Sequence, residues 1–240
     1  MTMAQAAPFE ALLQGRAPAG LGGRWYGVYP ALVSDIQDPD STGRVKVRLP
    51  WSPDSGGQRY EVWARLATLM GGNKRGSWFI PDVDDEVLVV FEGGDVRRPY
   101  VIGGLWNGTD AAPESMDGAG RNYKKVLTSR NGVKVTLDDT DGQEKFVAET
   151  PGGQKVTLKD GPGSVEIADS NGNSIKLESS GVTITAAATL TINASAVTIS
   201  ASSLTHSGTA TISGALTVAA SVTTPSVVSG SYTPGAGNIW

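Results

Sequence analysis

"TLTINASAVTISASSLTHSG", residues 189–208, alternates small or β-branched apolar residues with Thr and Ser. Around this stretch, threonine recurs at intervals of eight, seven, seven, six, six and six residues, at Thr183, Thr191, Thr198, Thr205, Thr211, Thr217 and Thr223. A short repeat of this kind predicts stacked strands, as in a solenoid or a β-helix. Because successive side chains of a strand point to opposite faces, we expect the Thr and Ser positions to face water. The apolar positions should then face inward, namely Val182, Ile184, Leu190, Ile192, Val197 and Ile199.

The same ladder of short strands begins near Val126, where its turns are rich in Asp, Asn and Gly: "DDTDGQ", "TPGGQ", "KDGPGS" and "DSNGNS". One copy of such a ribbon offers too few apolar groups to enclose a core of its own. A single chain can wind as a solenoid, or three identical chains can intertwine into a triangular prism, and either arrangement pairs the strand edges. With roughly 12 strands spaced about 4.8 Å apart, the prism would be roughly 55–60 Å long.

Charge is distributed unevenly along the 240 residues: the last charged side chain is Glu178, although the chain carries 20 Lys and Arg and 24 Asp and Glu. The net charge of −4 argues against a basic nucleic-acid-binding surface, and the absence of Cys excludes disulfides and thiolate catalysis. No apolar run is long enough to span a bilayer, and the first residues lack the features of a signal peptide. We therefore expect a protein made in the cytoplasm.

Five regions follow from the pattern. Residues 1–22 form a leader, which is either bland or orders on a partner. Strand-like runs over 23–108 predict a small barrel of the OB type: "RWYGVYPALVSDI", "GRVKVRLPW", "EVWARLATL", "GSWFIP", "DEVLVVFEGG" and "PYVIGGLW". Residues 109–125 are a polar linker, 126–224 the β ladder, and 225–240 a terminal segment whose prolines break the ladder. Tyr232, Ile239 and Trp240 could cap the ladder or bind a tip protein.

The only histidine, His206, shares the inward parity with Leu204, Gly208, Ala210 and Ile212. In a trimer, three His206 side chains would meet on the axis and could hold a metal ion, Fe or Zn, or an axial water or anion. A local register change that turns His206 outward, or a stack of neutral histidines, explains the residue without metal.

Two acidic stretches suggest sites but favour turns. "DDTDGQE", residues 138–144, lacks the ligand spacing of a calcium loop. "DVDDE", residues 82–86, contains paired carboxylates in a context typical of a turn that enters a strand.

The barrel carries a specific series of motifs, "VSDIQDPDSTGRVKVRLPW" (33–51) and "VWARLATLMGGNKRGSWFIPDVDDEVLVVFEGGDVRRPYVIGGLWNG" (62–108). With the ladder behind it, this region resembles the central spike of contractile injection machines, the family of phage baseplate assembly protein V and the VgrG proteins. Asp84 stands where that family commonly has Gly. By motif the resemblance covers residues 24–108, and by architecture it extends to about residue 224.

The resemblance implies an N-terminal OB barrel followed by an intertwined homotrimeric β-helix, and a mechanical role without catalytic activity or a required cofactor. Sheath contraction would drive the needle through the envelope of a target cell. The resemblance also implies a separate baseplate hub protein, since only about 22 residues precede the barrel, and a PAAR-type tip protein. The protein would be assembled into the baseplate of a phage tail or of another contractile injection particle.

Two other functions are compatible with parts of the chain. An OB-fold nucleic-acid binder would use aromatic side chains and a basic groove, but residues 1–110 hold 11 basic and 13 acidic side chains. A β-helical tail spike that binds or degrades glycans needs acidic side chains, which the ladder lacks beyond Glu178.

Overall fold

The computed structural model describes residues 24–50, 52 and 59–231. Within these ranges the regular structure is β, apart from one 3-10 turn at Glu92–Gly94, and no helix there is long and apolar enough to cross a membrane. The all-β prediction is therefore confirmed. The predicted leader and the three aromatic or apolar residues at the C-terminus lie outside the described residues.

Five strands close into the barrel in the order β1-β2-β3-β7-β6, which confirms the OB-type prediction. All neighbouring strands are antiparallel except β3 and β7, which are parallel. A short hairpin, β4–β5, follows β3. The strand bounds are Val28–Asp35 (β1), Val45–Arg48 (β2), Glu61–Leu66 (β3), Gly71–Gly72 (β4), Arg75–Gly76 (β5), Glu86–Phe91 (β6) and Pro99–Gly104 (β7).

Alternate residues of these strands fill the barrel, as the period of two requires. In β6, for example, every second residue is buried, and the same alternation holds in β2. Trp25 closes one side of this core, where its ring packs edge-on against Phe91 with 5.2 Å between ring centroids. Among the described residues, the largest fully buried side chains are Val33, Val45, Val47, Leu49, Val87, Val89 and Val101.

The "DPDSTGR" motif is a turn built around one carboxylate. Asp38 accepts hydrogen bonds from the backbone N–H and hydroxyl of Thr42, at 2.8 and 2.7 Å, and from two guanidinium nitrogens of Arg44, at 3.1 and 2.6 Å. The Arg44 guanidinium holds the pKa of Asp38 well below its usual range. This motif therefore fixes the connection between β1 and β2 and has no catalytic geometry.

The predicted strand in "GSWFIP" is wrong over residues 77–81. Only Gly76 belongs to a strand, and the chain then runs as an irregular segment that leaves Trp78 and Phe79 exposed. The aromatic and β-branched composition favours a strand, but the N–H of Ser77 bonds to Met70 across the short hairpin instead of to a barrel strand.

The "DVDDE" stretch is the turn that the sequence predicts. Asp85 accepts a hydrogen bond from the backbone N–H of Asp82 at 2.8 Å, and the chain then enters β6. Asp84 has a φ of +73°, in the left-handed region that favours glycine, and its N–H bonds to the carbonyl of Val33. Asp tolerates this left-handed geometry, and a glycine would adopt it without strain.

Behind the barrel, seven strands form one antiparallel meander in which each strand pairs only with its neighbours in sequence. The first strand starts two residues before the predicted start of the ladder. The bounds are Lys124–Thr128 (β8), Lys134–Asp138 (β9), Lys145–Glu149 (β10), Lys155–Lys159 (β11), Ser164–Ala168 (β12), Ser174–Glu178 (β13) and Gly181–Thr185 (β14). The strand-to-strand hydrogen bonds of this sheet lie within the chain.

A second structural unit begins at Thr189. From residue 189 to residue 231 the chain contains no strand, and every described side chain is exposed. The strand repeat that the sequence predicts for this part is thus not formed by one chain alone.

Candidate assembly interface

The four Asp-, Asn- and Gly-rich stretches each close a hairpin of the seven-stranded sheet. In the turn after β12, Asp169 accepts hydrogen bonds from the backbone N–H groups of Asn171 and Asn173 and from the side-chain amide of Asn173, at 2.9, 2.9 and 2.7 Å. The Asn173 amide and these backbone donors lower the pKa of Asp169 to about 2. The carboxylate is ionised at neutral pH and stabilises the turn.

Turns on the same side of the sheet lie directly against one another. A Cβ on Gly161, in the turn after β11, would collide with the carbonyl oxygen of Gly142, in the turn after β9. Both glycines also have positive φ, at +54° and +67°. Gly161 therefore allows the two turns to lie against each other, which a residue with a side chain would prevent. In residues 138–144, which the sequence analysis compares with a calcium loop, the N–H of Gln143 donates to the carbonyl of Thr140, as in an ordinary hairpin turn.

The strand register sorts the side chains of the sheet into two faces of opposite character. On one face, two parallel rows of apolar residues cross all seven strands, with Lys125 as the exception at the first strand. One row contains Leu137, Phe146, Leu158, Val165, Leu177 and Val182, and the other contains Leu127, Val135, Ala148, Val156, Ile167, Ile175 and Ile184. The predicted inward parity of Val182 and Ile184 agrees with this face.

Among the described residues, no other element of the chain packs over this apolar face. Ten of its large side chains keep between 36% (Phe146) and 66% (Val182) of their surface exposed, and Val135 and Val156 are half-buried. Seven strands at 4.8 Å spacing and five residues per strand give a face of about 30 Å by about 16 Å. Contiguous apolar surface of this extent marks an interaction site, because monomeric proteins rarely leave it in water.

The opposite face is mostly polar and carries several ion pairs. Lys124 and Lys134 flank Glu114 of the preceding segment at 3.7 and 3.5 Å. Asp138 accepts hydrogen bonds from Thr140 and lies 3.3 Å from the ammonium of Lys145, and the Thr140 hydroxyl is the main cause of its lowered pKa. Val147 is an apolar exception on this face and is already buried, at 7% exposure, so the apolar side that remains to be covered is the other face.

His206 lies in the unit that begins at Thr189 and is exposed there, in a stretch without strand structure. Within the described part of this one chain, no group of three or more His, Asp or Glu side chains is arranged to hold a metal ion. An axial site built from three copies of His206 cannot form in a single chain, so it stays a prediction. His206 would supply one imidazole nitrogen per chain, and water would complete the coordination of Zn or Fe.

Comparison with known families accounts for both parts of the architecture. Residues 29–106 match the injector OB domain of type VI secretion systems and phage baseplates, and residues 145–218 match the C-terminal trimerisation domain of phage baseplate V. The chain belongs to the baseplate V and VgrG-like spike family. The second match contains most of the apolar face and extends into the residues that form no strand in one chain.

Curated relatives include spike proteins of type VI secretion. The chain is 37% identical over 114 residues to VgrG3 of Vibrio cholerae, which covers 45% of this chain and 11% of the relative. It is 30% identical over 112 residues to VgrG1a of Pseudomonas aeruginosa, which covers 46% of this chain and 17% of the relative. A third relative, the actin cross-linking toxin VgrG1 of Vibrio cholerae, is 32% identical over 78 residues, 32% of this chain and 7% of the toxin. The chain thus spans less than a fifth of the length of these relatives.

Sequence reasoning missed two features of this region. It treated the segment at Trp78 and Phe79 as a strand, although the segment lies exposed. It also did not predict that the seven strands of the ladder, β8 to β14, pair entirely within one chain. The local signal for such pairing was present, because four turn-forming stretches separate strands of only five residues.

Proposed function

We propose that this protein is the homotrimeric spike at the centre of the baseplate of a contractile injection machine, a phage tail or a related particle. The observation that carries the proposal is the uncovered apolar face of the seven-stranded sheet, most of which lies in a region that matches a trimerisation domain. Three such sheets, packed with their apolar faces together, bury these faces in one core.

The trimer has two modes of assembly along its length in this proposal. From Lys124 to Thr185 each chain contributes one complete sheet, as a wall of the prism. From residue 189 onward, where one chain forms no strand, the threonine repeat obtains its backbone partners from the other two copies. The intertwining expected from the resemblance then begins after β14.

A mechanical role follows from the surface of the second part. Residues 179–240 carry no charged side chain, and charged groups are the most costly to bring into a bilayer. In this proposal the needle enters the target-cell envelope when the sheath contracts, and the protein is assembled into the particle after synthesis in the cytoplasm. The barrel docks on a hub protein, and a PAAR-type protein sits at the tip.

The role is structural and not enzymatic in this proposal. The stretch beyond Glu178 offers no pair of carboxylates for glycoside hydrolysis. In the barrel, several basic side chains are paired with carboxylates and are not arranged along a nucleic-acid groove: Arg44 with Asp38, Lys46 with Glu61, Arg97 with Asp95, and Arg98 with Glu92. Neither rival function is favoured by a specific contact.

The deciding experiment is the molar mass of the purified chain by size exclusion with light scattering. A mass three times that of the 24.9 kDa chain supports the spike, and a stable monomer contradicts it. Metal analysis of the same peak tests His206 separately. About one Zn or Fe per trimer, lost in His206→Ala, supports the axial site, while a metal-free trimer removes that site and leaves the spike intact.

A further inference from the structure

An apolar groove of about 1120 Å³ lies between the barrel and the first strand of the seven-stranded sheet. The barrel side is formed by Ile36, by the irregular segment at Trp78 and Phe79, and by Trp106, and the sheet side is formed by Leu127. Both sides belong to the same compact unit of the chain.

The aromatic side chains of this groove are strongly exposed in the single chain. Trp78, Trp106 and Phe79 keep 75%, 72% and 70% of their surface accessible. The Trp78 ring has one edge against Gly43, where an added Cβ would lie 3.2 Å from the ring. Three large aromatic side chains on one groove are costly to leave in water, and aromatic residues are the anchors of protein interfaces.

The groove is continuous with the apolar face of the sheet. Leu127 lines the groove and also belongs to the apolar row that runs from β8 to Ile184. A neighbour that covers the apolar face therefore reaches the groove without crossing a polar surface. At its rim, Arg130 and Asp82 form an ion pair at 2.9 Å, so the charge there is already compensated within the chain.

We propose that a second copy of this chain occupies the groove, so that the barrel and the sheet are held together by each neighbour in the trimer. This inference rests on the proposed function, and it adds an interface outside the matched trimerisation domain, whose match begins at residue 145. In a ring of three, each copy both fills a neighbour's groove and has its own groove filled, because the contact is heterologous and closes on itself. Barrel and needle would then move as one body when force is applied.

The first test measures whether Trp78 is buried in the full-length protein. Acrylamide quenching is compared between the wild type and Trp78→Phe, and the difference in emission reports Trp78 alone. We expect this emission to be quenched several-fold less than free tryptophan in the trimer. If Trp78 is quenched like free tryptophan while the mass is that of a trimer, the groove is open or serves another protein, and the inference is overturned while the spike proposal stands.

The second test removes the aromatic anchors. The double variant Trp78→Ser, Phe79→Ser should raise the concentration at which the trimer dissociates by at least tenfold. The control is Leu69→Ser, which changes a barrel residue that is 99% exposed and does not line the groove, and it should leave that concentration unchanged. Near-ultraviolet circular dichroism checks that the barrel of the double variant is folded. Equal dissociation of both variants contradicts the inference, and a monomeric wild type contradicts the proposed function as well.

Discussion

Substitutions at two adjacent residues of β14 distinguish a trimer from a single chain. Ile184 lies on the apolar face and Thr183 on the polar face, and both are exposed when the chain is alone. Both side chains are β-branched, so replacing either with Asp removes the same strand preference, which spans about 1 kcal/mol. In an isolated chain, Ile184→Asp and Thr183→Asp should therefore have similar, small effects.

In the trimer the two substitutions should differ widely. Full burial of an Ile side chain contributes about 1.5–3 kcal/mol, and Ile184 has 56% of its surface left to bury. The loss is then about 0.8–1.7 kcal/mol per chain, or about 2.5–5 kcal/mol for three chains, before the several kcal/mol of desolvating each carboxylate is added. Since 1.4 kcal/mol is tenfold in an equilibrium constant, the association constant should fall by at least about 10²- to 10³-fold.

The assay is size exclusion with light scattering over a dilution series, with thermal unfolding on the same samples. We expect Ile184→Asp to run as a monomer at concentrations where Thr183→Asp remains trimeric. If the two variants dissociate together, or if neither changes the mass, the apolar face is not the interface and the reasoning from the register fails.

Three further predictions concern the turns. Asp84→Val should lower the stability of the barrel by about 1–2 kcal/mol, because a β-branched residue is strained at the φ of +73°, whereas Asp84→Gly should leave it equal or higher, as urea unfolding can measure. Asp38→Ala should lower the melting temperature of the barrel, because Thr42 and Arg44 lose their acceptor. Asp40→Ala is the control, because Asp40 also pairs with Arg44 but its side chain is 64% exposed, whereas that of Asp38 is 5% exposed. The lowered pKa of Asp169 means that its contribution is fully present above pH 4 and is lost as the pH falls towards 2; the melting temperatures of the wild type and Asp169→Asn should therefore converge in that range. A difference that stays constant from pH 7 to pH 2 would contradict this assignment.

The parts of the fold that the sequence predicts are those with local signals. Alternating valines such as Val87 and Val89 place the barrel core, and the "DSNGNS" and "KDGPGS" stretches place the hairpins. The prediction of a strand at Trp78 is wrong because aromatic residues favour a strand only where it can pair and pack. Only the tertiary structure shows that no barrel strand pairs with this segment.

The partner of each strand is the part that periodicity does not reveal. An antiparallel pair within a chain and one between chains require the same alternation of side chains, so the repeat leaves both arrangements open. The structure resolves this for β8 to β14, where every pair is sequential. Residues 189–231 have almost no turn-forming stretches, so hairpins within one chain are not expected there, and the structure contains no strand in this range. The only sequence signal for the proposed interface at the groove is its aromatic residues.

The sequential pairing of the sheet has a consequence for the order of events during biosynthesis. Contacts between neighbouring hairpins are close in sequence, and proteins rich in such contacts fold fast. The sheet can therefore form on each nascent chain before the chains associate. The residues beyond Ala188 can form strands only after association with the other two copies. Before association, the chain exposes the apolar face and the two unpaired edge strands of the sheet, β8 and β14, which can pair with other chains and cause aggregation. Association of three chains covers the apolar faces, so the stability of the trimer also protects the protein against aggregation.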